Sequence, residues 1–272
     1  MLSLIVVGAA GRMGRRLVAN IAEQSDLRLA GALECSSCPL LGQDAGTVAG
    51  VKPLGVPILD TMEESIREAG AVIDFSIGGV VDHARLAAEH HAAIVIGTTA
   101  LKEEERAELE KLAASGARIA YATNYSIGVN LLFHLAETAV RALPDDFDIE
   151  IIEAHHNKKK DAPSGTAMTL AEILCAGRGL SCETDIRHGR QGIPGARTRS
   201  EIGMHSIRGG DIVGDHTVLF AAEGERIELT HRASSRDTFA RGAIRAARFM
   251  AEAPGGHVYS MREILACLLK KA

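Results

Sequence analysis

An apolar run, Leu2 to Val7, ends in Gly8-Ala9-Ala10-Gly11-Arg12-Met13-Gly14 and passes into an amphipathic stretch with Leu17, Val18 and Ile21 on one side. A second apolar run, Leu27 to Leu33, ends in Glu34. Few folds accept this order of strand, small-residue turn, helix, strand and acid. The small residues let the backbone approach a pyrophosphate, and the helix start offers unpaired N–H groups at the positive end of a dipole. An acid closing the second strand can bond the hydroxyls of an adenosine ribose, and Glu34 follows Gly14 at roughly the 20-residue offset this needs. The spacing, G-x-x-G-x-x-G, is one residue longer than the commonest fingerprint. A ligand-free strand-to-helix turn is the alternative, and the acid at the end of the next strand argues for the dinucleotide.

Strand-like and helical runs go on alternating. The pattern predicts helix over Met62 to Glu68, strand over Ala71 to Phe75, helix over Val80 to His90 and strand over Ala93 to Ile96. Helix over Lys102 to Ala114 and strand over Arg118 to Ala122 follow, while Cys38 to Pro57 reads as a loop-rich connection. Such alternation implies a parallel sheet with right-handed crossovers. Aromatics are only 3% of the 272 residues and Trp is absent, against 46% apolar residues. The core must therefore be Ala, Val, Ile and Leu, which suits parallel strands covered by helices. Two strand ends carry polar loops, Gly97-Thr98-Thr99 and Thr123-Asn124-Tyr125-Ser126. Ligands in these sheets bind beyond the carboxyl ends of the strands, so both loops are expected at the nicotinamide half of the site. Ordinary helix capping by Thr and Ser is the alternative.

The pattern changes beyond Pro144, which ends a long apolar helix from Ile127 to Leu143. A strand over Phe147 to Ala154, a helix over 167–176 and a Gly- and Arg-rich stretch from Gly177 to Gly195 come next. Three strand-like runs follow: Ser200 to Ile207, His216 to Ala222 and Ile227 to Arg232. They imply a second domain around a mostly antiparallel sheet, one face of which needs a cover such as copies of the same chain. A helix starting at Ser234-Ser235, with Phe239, Ala243, Ala246, Ala247 and Met250 on one side, and a short one over Met261 to Leu269 return to the first domain. The expected fold class is α/β: a Rossmann-type parallel-sheet domain, residues 1–126 and 237–272, and an α+β substrate-binding and oligomerisation domain, residues 127–236, with a mixed or antiparallel sheet.

The second domain holds the densest chemistry, Glu153 to Ala167, reading EAHHNKKKDAPSGTA. Two histidines, three lysines and a Pro-Ser-Gly-Thr turn lie between a strand end and a helix start. A helix start suits an anion, and with the lysines it becomes a pocket for a carboxylate or phosphate that also holds proton donors. A solvated basic loop before a capped helix is the plainer alternative. Like charge from the lysines disfavours the charged form of His155, so a neutral imidazole is expected near neutral pH. A nicotinamide in one domain and this pocket in the other imply hydride transfer to a small acidic substrate, with Lys or His supplying a proton.

Other classes fit poorly. The net charge of -5 argues against nucleic-acid binding. No apolar run reaches membrane-spanning length, and the opening MLSLIVVGAAGRMG lacks the basic region of a signal peptide. Five cysteines, Cys35, Cys38, Cys175, Cys182 and Cys267, have no framework spacing, which points to reduced thiols and a cytoplasmic setting. Cys35 and Cys38 form a C-x-x-C without a second pair, so no metal site is expected.

EAHHNKKKDAPSGTA closely resembles the signature of the bacterial dihydrodipicolinate (4-hydroxy-tetrahydrodipicolinate) reductase family. VVGAAGRMGRR, VIDFS, VIGTT, ATNYSIGVN, RGGDIVGDHTV and HRASSRDTFARGA occur in the order that family shows, so the resemblance covers nearly the whole chain. It implies NAD(P)H-dependent reduction of a small cyclic dicarboxylate to tetrahydrodipicolinate, in the diaminopimelate route to lysine. It also implies a discontinuous Rossmann domain and a homotetramer. By the same resemblance His155 is catalytic and Lys159 the proton donor, and His156, Gly165 and Thr166 contact substrate. Gly8, Ala9, Ala10, Gly11, Arg12 and Met13 hold the pyrophosphate. Glu34, Gly97, Thr98, Thr99, Ala122, Thr123, Asn124 and Tyr125 make further cofactor contacts. Lys158 and Lys160 shape the pocket's potential. The family often has arginines suited to a 2′-phosphate where this chain has Cys35 and Ile77, so NADH is expected to serve at least as well as NADPH, although Ser36 and Ser37 can still bond a phosphate. Another two-domain NAD-dependent amino or imino acid dehydrogenase would share the glycine turn without needing the His-His to Gly-Thr stretch. A non-catalytic NADH-sensing module would bind the cofactor without turnover.

Overall fold

The computed structural model describes residues 1–99 and 101–270, with side chains as far as residue 267. The chain divides into two compact units, Met1–Ile127 with Arg236–Ala272, and Gly128–Ser235.

The first unit is built on seven strands: β1 (Leu2–Val7), β2 (Leu27–Leu33), β3 (Ile58–Leu59), β4 (Ala71–Asp74), β5 (Ala93–Ile96), β6 (Ile119–Tyr121) and β12 (Val258–Tyr259). Every pairing is parallel, in the order β12-β6-β5-β4-β1-β2-β3. Its helices are α1 (Arg12–Ala22), α2 (Ala45–Ala49), α3 (Val80–Glu89), α4 (Glu103–Ala114), α7 (Asp237–Glu252) and α8 (Met261–Lys270). Strand alternation sorts the side chains into two cores. Leu4, Val6, Ile73 and Val95 meet Leu17 and Ile21 of α1 and Ala243, Ala247 and Met250 of α7. Ile5, Val7, Val72, Ile94 and Ile96 meet Val80 and Ala84 of α3 and Leu109 of α4. A sheet buried on both faces needs near-continuous apolar strands, and the sequence supplies them. The small residues of α7 permit a close approach: a Cβ at Gly242 would overlap the carbonyl of Tyr125. Strand order reverses between β1 and β4, which is where loops diverge and a nucleotide fits in such sheets.

The second unit contains β7 (Asp148–His155), β8 (Ile186–His188), β9 (Ile202–Arg208), β10 (Gly214–Ala222) and β11 (Glu225–Ala233), in the order β11-β10-β7-β9-β8. Helices α5 (Ile127–Ala142) and α6 (Gly165–Arg178) cover one face of this sheet. There Ile149, Ile151, Met204, Val218 and Phe220 pack with Phe133, Leu170 and Leu174.

The sheet is mixed, as the expected fold class allowed, with fewer antiparallel pairings than the strand runs suggested. β10 is antiparallel to β7 and β11, whereas β7–β9 and β8–β9 are parallel. The tight turn between β10 and β11 forces reversal, and the long passage through α6 permits a parallel return. The stretch expected as loop from Cys38 to Pro57 contains α2, and Gly177 to Gly195 contains β8. Met62 to Glu68, expected as helix, yields only a single turn over Ser65–Glu68. Elements of two to five residues carry too little periodicity to register.

Candidate functional site

In the first unit Gly8 has φ +78°, a left-handed conformation suited to glycine. Its N–H and that of Ala9 both donate to the carbonyl of Leu33 at 2.9 Å, which ties the turn to the end of β2. A Cβ at Gly14 would overlap the Gly8 carbonyl, so α1 starts pressed against the turn. Gly11 precedes that helix and no side chain caps it, which leaves first-turn N–H groups for an anion. The cradle therefore fits the pyrophosphate of a dinucleotide. Glu34, expected at the ribose, accepts from the N–H of Ala10 at 2.9 Å through Oε1. It thus braces the glycine turn.

A cavity of about 480 Å³ lies in this unit, beyond the strand ends. Arg12, Met13, Gly97, Thr98, Thr99, Thr123, Asn124 and Tyr125 line it, with Phe75, Ser76, Ile77 and Phe239. Ala122 donates its N–H to the carbonyl of Ile96 behind it, at 3.2 Å. Gly97 has a packing reason to be glycine, since a Cβ there would run into the Phe75 ring. Tyr125 is 1% exposed, and its hydroxyl donates within 2.9 Å of the Ile96 carbonyl. Burial drives that phenol's pKa well up, so its OH supports the strand ends rather than a ligand. Phe75 and Phe239 were not foreseen. Their signals were rarity, as only six Phe occur in the chain, and their places in the VIDFS and HRASSRDTFARGA motifs.

In the second unit pairing register builds the site. Period-2 alternation puts Glu153 and His155 on one face of β7. Register then sets Glu153 opposite His216 of β10 and Ser206 of β9. Glu153 is wholly buried. Its carboxylate accepts from His155 Nδ1 at 2.6 Å, from both terminal nitrogens of Arg208 at 2.8 Å, and from the Ser164 N–H at 3.3 Å. Burial alone would raise the Glu153 pKa, but Arg208 and His155 outweigh it and hold the carboxyl at about 2.

His155 is lowered below its ordinary value. Burial is the largest cause and outweighs the pull of Glu153, with Lys159 and Arg208 contributing less. The neutral imidazole expected from the sequence is thus favoured, but the lysine argument ranks below burial. With Nδ1 donating to Glu153, Nε2 is the acceptor. The His216 ring stands edge-on to His155 with centroids 5.2 Å apart, and its Nε2 lies 3.0 Å from Ser164 Oγ. Burial, then the neighbouring His155, takes His216 down to about 4.

The turn after β7 folds back, with Lys159 N–H donating to the His156 carbonyl at 3.1 Å. Lys159 Nζ pairs with Asp161 at 2.8 Å and is 19% exposed. Arg208 also donates to the Asp161 carbonyl at 2.7 Å, Gly209 N–H to the His155 carbonyl at 2.9 Å and Asn157 N–H to that of Gly210 at 3.2 Å. The Arg-Gly-Gly loop after β9 therefore clamps the basic turn. Ser164 caps α6 by accepting from the Ala167 N–H at 3.2 Å, which sets Gly165 and Thr166 in the first turn. No atom lies within 4 Å of where a Cβ on Gly165 would stand. Nδ1 of His156 is buried without a partner. Lys158 and Lys160 are exposed. Sequence reasoning missed Glu153, Ser164, Arg208 and His216 as site residues; the first two were visible as a strand acid and a cap, and the others lie in the RGGDIVGDHTV motif, although only register brings them to Glu153. Among the described residues no group of His, Cys, Asp and Glu could hold a metal, and no helix is long and apolar enough to cross a membrane.

Both units have counterparts in one family. The description "Dihydrodipicolinate reductase, N-terminus" matches residues 2–125, and "Dihydrodipicolinate reductase, C-terminus" matches residues 128–265. The 4-hydroxy-tetrahydrodipicolinate reductase of Syntrophotalea carbinolica is 48% identical over 267 residues, covering 97% of this chain and 99% of the relative. That of Ruegeria pomeroyi is 48% identical over 263 residues, covering 96% and 97%. The dipicolinate-bound dihydrodipicolinate reductase of Paenisporosarcina sp. superposes with a TM-score of 0.76 at 25% identity, covering 96% of this chain and 97% of that one. The glycine turn falls within the first match and the buried Glu153–His155 pair within the second, so by sequence and by fold the chain belongs to the dihydrodipicolinate reductase family.

Proposed function

We propose a division of labour for this NAD(P)H-dependent reductase of the diaminopimelate route to lysine. The Met1–Ile127 unit holds the cofactor, and the Gly128–Ser235 unit binds 4-hydroxy-tetrahydrodipicolinate, or dihydrodipicolinate after loss of water. The glycine turn, Gly8 to Met13, takes the pyrophosphate on the open start of α1. Glu34 marks the ribose, and Gly97 to Thr99 with Ala122 to Tyr125 frame the nicotinamide cavity. The nicotinamide, when bound, supplies a hydride. Everything else falls to side chains. The start of α6 at Gly165 and Thr166, with His156, holds one carboxylate. Lys159 leaves Asp161 and delivers a proton to the ring carbon or nitrogen that gains electron density. His155, fixed by Glu153, accepts a hydrogen bond through Nε2 and orients the substrate or the lysine. The observation that carries this reading is the buried Arg208–Glu153–His155 chain, which locks a neutral imidazole beside a half-buried lysine and a helix start.

The same reading includes a homotetramer, a cytoplasmic setting, and NADH serving at least as well as NADPH. Cys35, at 3.4 Å from Ser37 Oγ, and the fully exposed Ile77 stand where a phosphate-binding arginine would be useful. The test is fresh synthase product with NADH and NADPH oxidation followed separately. No oxidation of either would remove the reading; a kcat/KM strongly favouring NADPH at fixed ionic strength would remove the preference alone. Added dipicolinate should compete with the substrate.

A further inference from the structure

Asp74, the last residue of β4, is 0% exposed. Its Oδ1 accepts from the Ser76 N–H at 2.8 Å, and its Oδ2 from His83 Nδ1, also at 2.8 Å. His83 sits in the first turn of α3, whose N-cap Gly79 has φ +78° and no side-chain cap bond. One carboxylate thus grips both ends of the loop leaving β4. That loop lines the cavity with Phe75, Ser76 and the exposed Ile77. It is pinned once more where Thr98 Oγ1 donates to the Ser76 carbonyl at 2.7 Å. The glycine turn rests on it too: a Cβ on Gly8 would stand only 3.1 Å from the Phe75 carbonyl oxygen and 3.2 Å from the Ser76 nitrogen.

We propose that Asp74 and His83 form a clamp at the point where strand order reverses, which sets the Phe75–Ile77 loop against both the glycine turn and the nicotinamide cavity. His83 is then a positioning residue for NAD(P)H, an inference that rests on the cofactor reading above. A buried carboxylate is costly unless its oxygens are engaged, and here both engagements fall on segments that frame the cofactor.

The donor that matters is Nδ1, and two amides distinguish it. Asn places its amide nitrogen near the position of Nδ1, whereas Gln reaches toward that of Nε2. In the full-length chain H83Q should weaken NADH binding about tenfold, in both Kd by fluorescence titration and KM, as expected for loss of a hydrogen bond to a charged group. Its kcat at saturating NADH and its KM for the dicarboxylate should stay within about twofold. H83N should bind NADH nearly as the unsubstituted chain does. Equal NADH affinity in H83Q and the unsubstituted chain, or equal loss in H83N and H83Q, would overturn the clamp alone. An unsubstituted chain that fails to bind NADH would overturn the cofactor reading together with it.

Discussion

Substitutions at Lys159 and Gly165 test the proposed proton donor and the proposed carboxylate contact separately. A positioned general acid is worth about 10²–10⁴ in rate, so Lys159→Ala should cut kcat by that order while leaving the KM for NADH nearly unchanged. A variant with normal kcat and only a raised substrate KM would make Lys159 an electrostatic binder. Gly165 has open space where a Cβ would go and lies in the first helical turn. Gly165→Ala should therefore leave the melting midpoint unchanged or raise it, since alanine gains up to about 1 kcal/mol there. On the proposed carboxylate contact its substrate KM should rise about tenfold, the loss of one contact of about 1.4 kcal/mol, because the methyl would occupy that approach. An unchanged KM would take Gly165 out of the substrate site. Both residues were singled out by the motif that carries the family resemblance, and these variants test their roles. A downward shift of the His155 pKa was the expectation from the lysines, but its first cause, burial, was not legible, because no stretch of sequence states how deep a strand end will lie.

Among the elements, α6 depends on Ser164 twice: as its cap and as the partner of buried His216. Ser164→Ala should cost about 1–2 kcal/mol, more than an exposed cap, because the imidazole nitrogen loses its partner as well. Chemical denaturation reads this directly; a loss under about 0.5 kcal/mol would mean the His216 bond contributes nothing beyond solvation. Most long elements were legible because period-2 and period-3.6 patterns ran for several repeats, as in β1, β2 and α5. β3, β8 and β12 were not, since a strand of two or three residues has no period to detect and exists only because a neighbouring strand offers hydrogen bonds. The parallel β7–β9 pairing was likewise invisible: alternation predicts a strand, not the direction of its neighbour.

At the scale of the whole chain, acid sensitivity should concentrate in the Gly128–Ser235 unit. His216 takes its proton at about 4 when folded but at its ordinary 6.5 when unfolded. The unfolded chain therefore binds the proton first, and stability falls as pH drops from about 6.5 to about 4, by on the order of 3 kcal/mol from this group. Glu153 and Glu150 act lower. Burial opposes their charge, but Arg208 and His155 for the first, and Arg190, His205 and Arg197 for the second, hold each at about 2. Their stabilisation is present above the ordinary 4.5 and is lost as pH falls toward 2. Urea midpoints across that range should decline in two stages, and His216→Gln should shallow only the upper one, where His155 and His231, both also lowered by burial, still contribute. A wild-type midpoint that stays level between pH 6.5 and 4 would refute the His216 part of this account. By itself the sequence determined which segments alternate, where the backbone needs glycine, and which turn gathers lysines and histidines, because each is a local demand of sterics or charge. Only the tertiary structure decided that Glu153, His155, Arg208 and His216 meet, and that Asp74 grips His83. Those contacts arise from strand register and from a buried environment, where distant residues set each other's protonation.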